Sequence, residues 1–307
     1  MKRVLVTGAS GFLGRRTLTP LMARGFEVHA VSRDRQLSKA DGVTWHQFDF
    51  LRETEVSNLI DNVAPTHLLH LAWNAEPGKF WESDDNLAWQ TSTQQLVNAF
   101  AKSGGRRVVG AGTGAEYEWT NVTVCDEAKT STNPSSLYGR TKLETGRTLH
   151  EAASRLGFTS AWGRLFFIYG PGGHPDRMPA VIIRSLLNRQ PAQCSSGTQA
   201  RDYIYVDDAA AAFAALLDSD VEGPVNIASG ETVRIIDIVQ SVAQSLNGAD
   251  LLRIGAVPDA TDSPDSVCAE VRRLREEVGF VPETSLESGL AKTIEWWQQT
   301  DGSKVTA

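Results

Sequence analysis

Near the start of the chain, the run VLVTGASGFLG sets three glycines, Gly8, Gly11 and Gly14, directly behind a short apolar stretch and into the beginning of a helical pattern. Glycines at this GxxGxxG spacing permit a tight turn, let backbone N–H groups approach a pyrophosphate, and let helix and strand pack closely. The anion then sits at the positive helix N-terminus. A bare glycine triplet can also be a purely structural turn. Its place here, after a strand and before an amphipathic helix, favours a nucleotide site and assigns Gly8, Ser10, Gly11, Phe12, Leu13 and Gly14 to a cofactor.

The chain that follows alternates short apolar runs with longer helical patterns. Strands are expected at 3–7, 27–31, 43–48, 67–71, 107–111 and 160–166, and helices near 12–24, 53–61, 87–102 and 136–156. Strands apolar on both faces and separated by helices predict a doubly wound α/β fold, a parallel Rossmann sheet covered on both sides. After Gly170 the Gly- and Pro-rich YGPGGHPDRMP reads as a loop, followed by a helix in AVIIRSLLNRQ, a strand in RDYIYVDD and helices near 208–217, 235–246 and 286–297. The expected division is a dinucleotide-binding domain over 1–165, with a returning contribution from about 201–228, and a smaller mixed α/β C-terminal substrate lobe over 166–307. In such sheets the ligand crevice lies at the carboxyl ends of the strands.

With 37 acidic against 30 basic residues the formal charge is −7, which speaks against a sequence-independent hold on nucleic acid. No apolar run reaches the roughly 18 residues of a membrane span, and MKRVLVTG enters a strand without the apolar core of a signal peptide, so a cytoplasmic location is expected. Cys125, Cys194 and Cys268 are too scattered for a metal knuckle or a disulfide framework, and the histidines show no HxH or HxxxH spacing. No metal site is expected.

An acidic residue ending the second strand would grip the adenosine ribose of NAD. Here FEVHAV runs into SRDR, with Ser32 and Arg33 where that carboxylate would stand. A hydroxyl followed by a guanidinium suits a 2′-phosphate, because Arg can fork onto phosphate oxygens. NADP(H) is therefore expected ahead of NAD(H). Asp34 remains an alternative ribose ligand if the loop turns differently, and Arg33 and Arg35 also read as a solvated basic loop.

Two further stretches, VVGAGTGAEYEW and SSLYGRTK, join the glycine run. In the second, Tyr138 and Lys142 sit four apart, on one face of a helix. Together the three resemble the extended short-chain dehydrogenase/reductase family, the NAD(P)-dependent epimerase/dehydratase group that includes nucleotide-sugar epimerases, dehydratases and 4-ketoreductases. The likeness covers nearly the whole chain, including FDF at Asp49, HLAW at 70–73, DDNL at Asn86, RLFFIYGPG at 164–172, RDYIYVDD at 201–208 and the closing EEVGFVPETSLESGLAKTIEWW.

The resemblance implies catalytic roles for Thr113, Tyr138 and Lys142. It also implies cofactor contacts from Asp49, Phe50, Leu71, Ala72, Trp73, Asn86, Tyr138, Lys142 and Phe167, and substrate contacts from Phe80, Trp81, Thr113, Tyr138, Phe167 and Arg201. The chemistry is sound on its own terms: a tyrosine, with a free pKa of about 10, needs a nearby cation to act near neutrality. Lys142 can supply it, and Thr113 can donate to the substrate oxygen as charge develops there. Asp49 also fits a helix N-cap before LRET, and Phe80 and Trp81 fit core packing as well as a sugar pocket.

Dehydratases of this family generally carry Asp-Glu directly after the catalytic Thr; Gly114 and Ala115 stand there, which disfavours dehydration. Cys125 has no context for the added proton-transfer cysteine of the 3,5-epimerising reductases. The resemblance is strongest to the 4-ketoreductases of nucleotide-linked 4-keto-6-deoxy sugars, with a nucleotide-sugar 4-epimerase holding NAD as the alternative and an NADP(H)-binding sensor without turnover as a lesser one. Two departures bear on the phosphates of such a substrate: Phe167 replaces a frequent Asn, and Ser263 a common Arg. The family's dimers lead one to expect a homodimer.

Overall fold

The structure is a computed structural model that describes residues 2–33, 41–53, 55–120, 122–259 and 264–302; Asp34, Arg35 and Ser263 lie outside the described residues. Strand β1 (Lys2–Thr7) carries the run before the glycines and is buried from Val4 to Thr7, as a strand covered on both faces must be. Helix α1 (Gly14–Ala23) begins on the third glycine, and β2 (Phe26–Ser32) returns parallel to β1 with Val4 opposite Val28.

The chain then forms β3 (Val43–Gln47), α2 (Val56–Val63), β4 (His67–His70), α3 (Asp85–Lys102), β5 (Arg107–Thr113), β6 (Val124–Cys125), α4 (Leu137–Leu156), β7 (Thr159–Leu165) and β8 (Phe167–Tyr169). After these come α5 (Ala180–Leu187), β9 (Ala192–Cys194), β10 (Ala200–Tyr205), α6 (Val206–Asp218), β11 (Gly223–Ile227), β12 (Thr232–Arg234), α7 (Ile235–Ser245), β13 (Leu252–Ile254), β14 (Ser266–Ala269) and α8 (Leu286–Gly302). Seven strands make one parallel sheet in the order β3-β2-β1-β4-β5-β7-β11. The order reverses between β1 and β4, where a doubly wound sheet opens its crevice.

Alternate residues along these strands feed two cores. Val4, Val6, Val28 and Ala30 face Leu18 and Leu21 of α1 and Phe213 and Leu216 of α6. Leu5, Val31, Leu68 and Val108 face α2, α3 and α4 through Ile60, Leu96, Phe100 and Leu149. Each such side chain contributes about 1.5–3 kcal/mol by leaving water, so the sheet cannot slip register without exposing a full set. A third core joins α5, α7 and α8 through Ile183, Val239 and Leu290. Beside it, β10 runs with β12, β14 and β8, and β14 pairs in turn with β6.

The doubly wound sheet matches the sequence expectation, with two differences of physical interest. Helix α2 begins at Val56 rather than near 53, because the segment before it is spent on a turn in which Asp49 Oδ1 accepts from the Leu51 amide at 3.0 Å. Strand β11 was outside the expected strands: Gly223 and Pro224 open it, and only Val225 and Ile227 carry aliphatic side chains. It lies at the sheet's edge, where proline is tolerated, and pairs with β7 while α6 packs on α1.

Candidate active site

The glycine turn is closed by backbone contacts that leave no room for side chains. Gly8 holds a left-handed φ of +68°, and a Cβ there would lie 2.8 Å from the Ala72 amide nitrogen. A Cβ on Gly14 would fall 2.0 Å from the Gly8 carbonyl oxygen. The turn therefore seats its backbone at the carboxyl end of β1 with the N-terminus of α1 directly behind it, and α1 has no acidic residue in its first turn. A cradle of this kind, bare of side chains and backed by a helix dipole, fits the pyrophosphate of a dinucleotide.

Beneath the turn a buried relay fixes the neighbouring strand end. The Thr93 hydroxyl donates to the Trp89 carbonyl at 2.8 Å, so it accepts from His70 Nε2 at 2.9 Å. His70 Nδ1 then accepts from the Thr7 hydroxyl at 2.8 Å, while Thr7 Oγ1 accepts from the Leu71 and Ala72 amides, both at 3.2 Å. This pattern needs a neutral imidazole. Burial, with the charge of Lys142 second, pulls the His70 ring down to about 3. Leu71 and Ala72 are thus held against the glycine turn by their backbones.

Other residues assigned to the cofactor are placed differently. Ser32 is buried, with its hydroxyl 3.2 Å from that of Ser10 across the glycine turn, and Arg33 is exposed. That arrangement gives the expected NADP(H) preference no support. Phe50 is buried against Phe48, with ring centroids 4.9 Å apart. Asn86 is only 1 % exposed: its amide donates to the Phe80 and Ser83 carbonyls at 2.7 and 2.8 Å and accepts from the Trp73 indole at 2.9 Å. Whatever it contributes to the cofactor, Asn86 braces the turn at 80–83.

At the end of β5, Thr113 lies beside Tyr138, close enough for its side chain to favour the ionised phenol. Ser136 caps α4, its hydroxyl accepting the Gly139 amide at 3.1 Å, which aims the first turn of the helix at Thr113. Desolvation pushes the Tyr138 phenol up to about 12; the Glu116 carboxylate pushes the same way, while the Thr113 side chain and the Arg177 guanidinium pull down. One turn further on, Lys142 is buried, its Nζ 2.8 Å from the Ala111 carbonyl and 3.8 Å from the centre of the Trp73 ring. Burial pulls this amine down to about 7, against the opposing pull of Glu116. Trp73, assigned to the cofactor, is thus also the roof over Lys142.

Tyr138 faces an aromatic wall. The Phe80 ring meets it edge-on at 4.7 Å and Trp81 at 5.8 Å. Phe80 is buried while Trp81 is 42 % exposed and lines a cavity of about 1230 Å³ with Ala115 and Trp119. Arg201 stands over the Phe167 ring at 5.8 Å, on the adjacent strands β10 and β8.

Two residues at the site escaped sequence reasoning. Arg177, from the Gly/Pro-rich loop, donates to the Ala75 carbonyl at 2.9 Å and lies 5.8 Å from the Phe80 ring. Glu116 lies under Thr113. The one signal for it is an acid among small residues directly after a buried strand.

A glycine-turn nucleotide cradle and a Thr–Tyr–Lys constellation at one end of a parallel sheet define a nucleotide-dependent α/β enzyme of the dehydrogenase type. The chain belongs to the NAD dependent epimerase/dehydratase family, whose sequence profile matches residues 4–228. A UDP-glucuronate 4-epimerase of Thermodesulfobacterium geofontis is 25 % identical, over 95 % of this chain and 95 % of its own. A UDP-glucuronic acid decarboxylase 1 of Xenopus tropicalis is 26 % identical over 97 % of this chain and 72 % of its own. Among solved structures, MoeE5 in complex with UDP-glucose and NAD superposes with a TM-score of 0.84 at 29 % identity, covering 97 % of this chain and 99 % of that one. The UDP-glucose 4-epimerase of Thermotoga maritima, at 21 % identity and a TM-score of 0.86 over 97 % and 99 % of the chains, shares the fold.

Proposed function

We propose that the chain is an NAD-dependent 4-epimerase of a UDP-linked sugar, with UDP-glucuronate the first substrate to test. The observation that carries this reading is Tyr138 at the capped start of α4 beside Thr113, one helical turn before the buried Lys142, in a chain whose relative over 95 % of both lengths is a UDP-glucuronate 4-epimerase. The relatives favour this alternative over the 4-ketoreductase expected from the motifs. NAD is preferred to NADP because the family is NAD dependent and MoeE5 was solved with NAD.

Gly8–Gly14 would hold the pyrophosphate of NAD and Lys142 its ribose, and the bound cofactor would supply the hydride acceptor and donor for the sugar's C4. The chain's own residues handle the proton. Tyr138 takes the proton of the C4 hydroxyl as that carbon is oxidised and returns it when the carbon is reduced on the other face. Thr113 donates to the same oxygen. A phenol held at about 12 even with the Arg177 guanidinium pulling it down is no base at neutral pH, so the mechanism needs further positive charge near it, which protonated Lys142 would supply. Gly114 and Ala115 offer no acid or base for water loss. Arg201, beside Phe167, is the residue proposed for the substrate diphosphate.

Purified protein incubated with NAD+ and UDP-glucuronate, then UDP-glucose, should yield the C4 epimer by NMR without net NADH. Stoichiometric NADPH loss with a nucleotide-linked 4-keto-6-deoxy sugar would instead restore the reductase reading, and carbon dioxide release would mark a decarboxylase. Tyr138→Phe should lower kcat by about 10²–10⁴-fold with NAD affinity kept; a variant that turns over normally sinks the mechanism.

A further inference from the structure

Glu116 is wholly buried, and its carboxylate bridges the end of β5 to β7. Oε1 accepts from the Thr113 amide at 2.9 Å and from the Trp162 indole at 2.8 Å; Oε2, on the far side, accepts from Arg164 Nε at 2.8 Å. Arg164 is itself buried, its guanidinium 4.5 Å from the Tyr117 ring, and the Tyr117 hydroxyl donates to Asn226 at 2.8 Å. Together with the Ala115 amide on Thr113 Oγ1 at 3.2 Å, these bonds close a capping box around residues 113–116.

A buried Arg–Glu pair is a poor device for stability, because desolvating both charges offsets most of their attraction, and well-packed apolar residues do as well or better. Its place beneath a reaction centre therefore asks for another reason. Resting on the reading that Thr113, Tyr138 and Lys142 form that centre, we propose that Glu116 is its positioning residue: the carboxylate fixes the Thr113 turn through its backbone amide and is the fixed negative charge beneath the Tyr–Lys pair.

The groups facing the pair are few. Tyr138 meets Thr113, Phe80, Trp81 and the charges of Glu116 and Arg177. Lys142 meets the Ala111 carbonyl, the Trp73 and Trp162 rings, neutral His70 and Glu116. Among the described residues Glu116 is the one negative charge that acts on both, and it raises the proton affinity of each. Removing it lowers both, so the whole pH–rate profile moves toward acid.

The test compares wild type with Glu116→Gln and with Glu116→Gln/Arg164→Gln. The double variant guards against misfolding, since the single one leaves a buried guanidinium facing an amide. Two readouts are taken: kcat against pH, and the protonation midpoint of Lys142 by NMR of 15N-labelled lysine side chains. The expected result is NAD affinity within about twofold of wild type, at least tenfold loss of kcat at the wild-type optimum, and both midpoints lower by about one pH unit. A folded double variant whose midpoints stay at the wild-type values overturns the proposal, whatever its kcat, because a merely structural brace changes amplitude and leaves the profile in place. Should no sugar nucleotide be turned over by wild type, the functional reading fails, while the Lys142 titration still decides the role of Glu116.

Discussion

Lys142 carries an ammonium group into a place water barely reaches: it is 4 % exposed, with one carbonyl and two indole rings in place of a hydration shell. Cation–π contact with Trp73 recovers part of the lost solvation, on the order of 2 kcal/mol when desolvated, and the remaining deficit appears as an amine drawn from 10.5 to about 7. The unfolded chain binds the Lys142 proton up to about pH 10.5 while the folded one releases it near 7. Stability contributed at this position therefore rises with pH across that interval, and the penalty is complete below it. Lys142→Met should accordingly be more stable than wild type by a few degrees in Tm below pH 7, with the gain fading toward pH 10.5, and should lose at least about 100-fold in kcat. Calorimetric scans at pH 6 and pH 10 check it; a variant less stable than wild type at pH 6 contradicts the argument. The Tyr138–Lys142 spacing was legible because a helix turns four residues into neighbours. Arg177 was not, since a guanidinium from a Gly/Pro-rich loop reaches Phe80 and Tyr138 only through the tertiary fold.

At the scale of elements, the join between β1 and α1 is the tightest constraint on the site. The chain must turn within the span from Gly8 to Gly14, and the Gly11 amide already donates to the Gly8 carbonyl at 3.0 Å. Gly14→Ala would place a methyl group 2.0 Å from that carbonyl's oxygen, and the obstruction is backbone, which cannot rotate aside. The first turn of α1 must shift, and with it the cradle. The expected outcome is at least tenfold weaker NAD binding by calorimetric titration, accompanied by a lower Tm; unchanged affinity would show that the turn does not hold the cofactor. This element could be read from the sequence because glycine spacing, strand run and helix pattern agree within a few residues. The turn that delays α2 could not, because Asp49 and Glu53 fit a helix start as well as the 49–53 turn they form, in which Glu53 accepts the Asp49 amide at 2.7 Å.

For the molecule as a whole, the parallel sheet is not finished where the Rossmann motif ends. Six of its seven strands come from residues before 166, but β11 supplies the last hydrogen-bonded neighbour of β7, and α6 lays Phe213 and Leu216 on the core it shares with Leu18 and Leu21 of α1. Arg107, buried at the start of β5, binds the carbonyls of Leu216, Leu217 and Val221 at 2.7–3.0 Å, tying the far end of α6 to the centre of the sheet. A chain cut after residue 165 would expose the α1 face of that core, leave β7 as an open edge and strip the Arg107 guanidinium of its three carbonyl acceptors, leaving only the Thr159 hydroxyl at 3.2 Å. Exposed apolar surface beside an unpaired strand is an aggregation hazard, so the 1–165 fragment should be insoluble or lack a cooperative thermal transition. Extending it to residue 228, which restores β8, β10, α6 and β11 but omits α7 and α8, should recover a measurable transition; gel filtration and circular dichroism of the two fragments decide. If the shorter fragment alone melts cooperatively and binds NAD, the nucleotide half is self-sufficient, and the returning elements serve only to carry the second lobe.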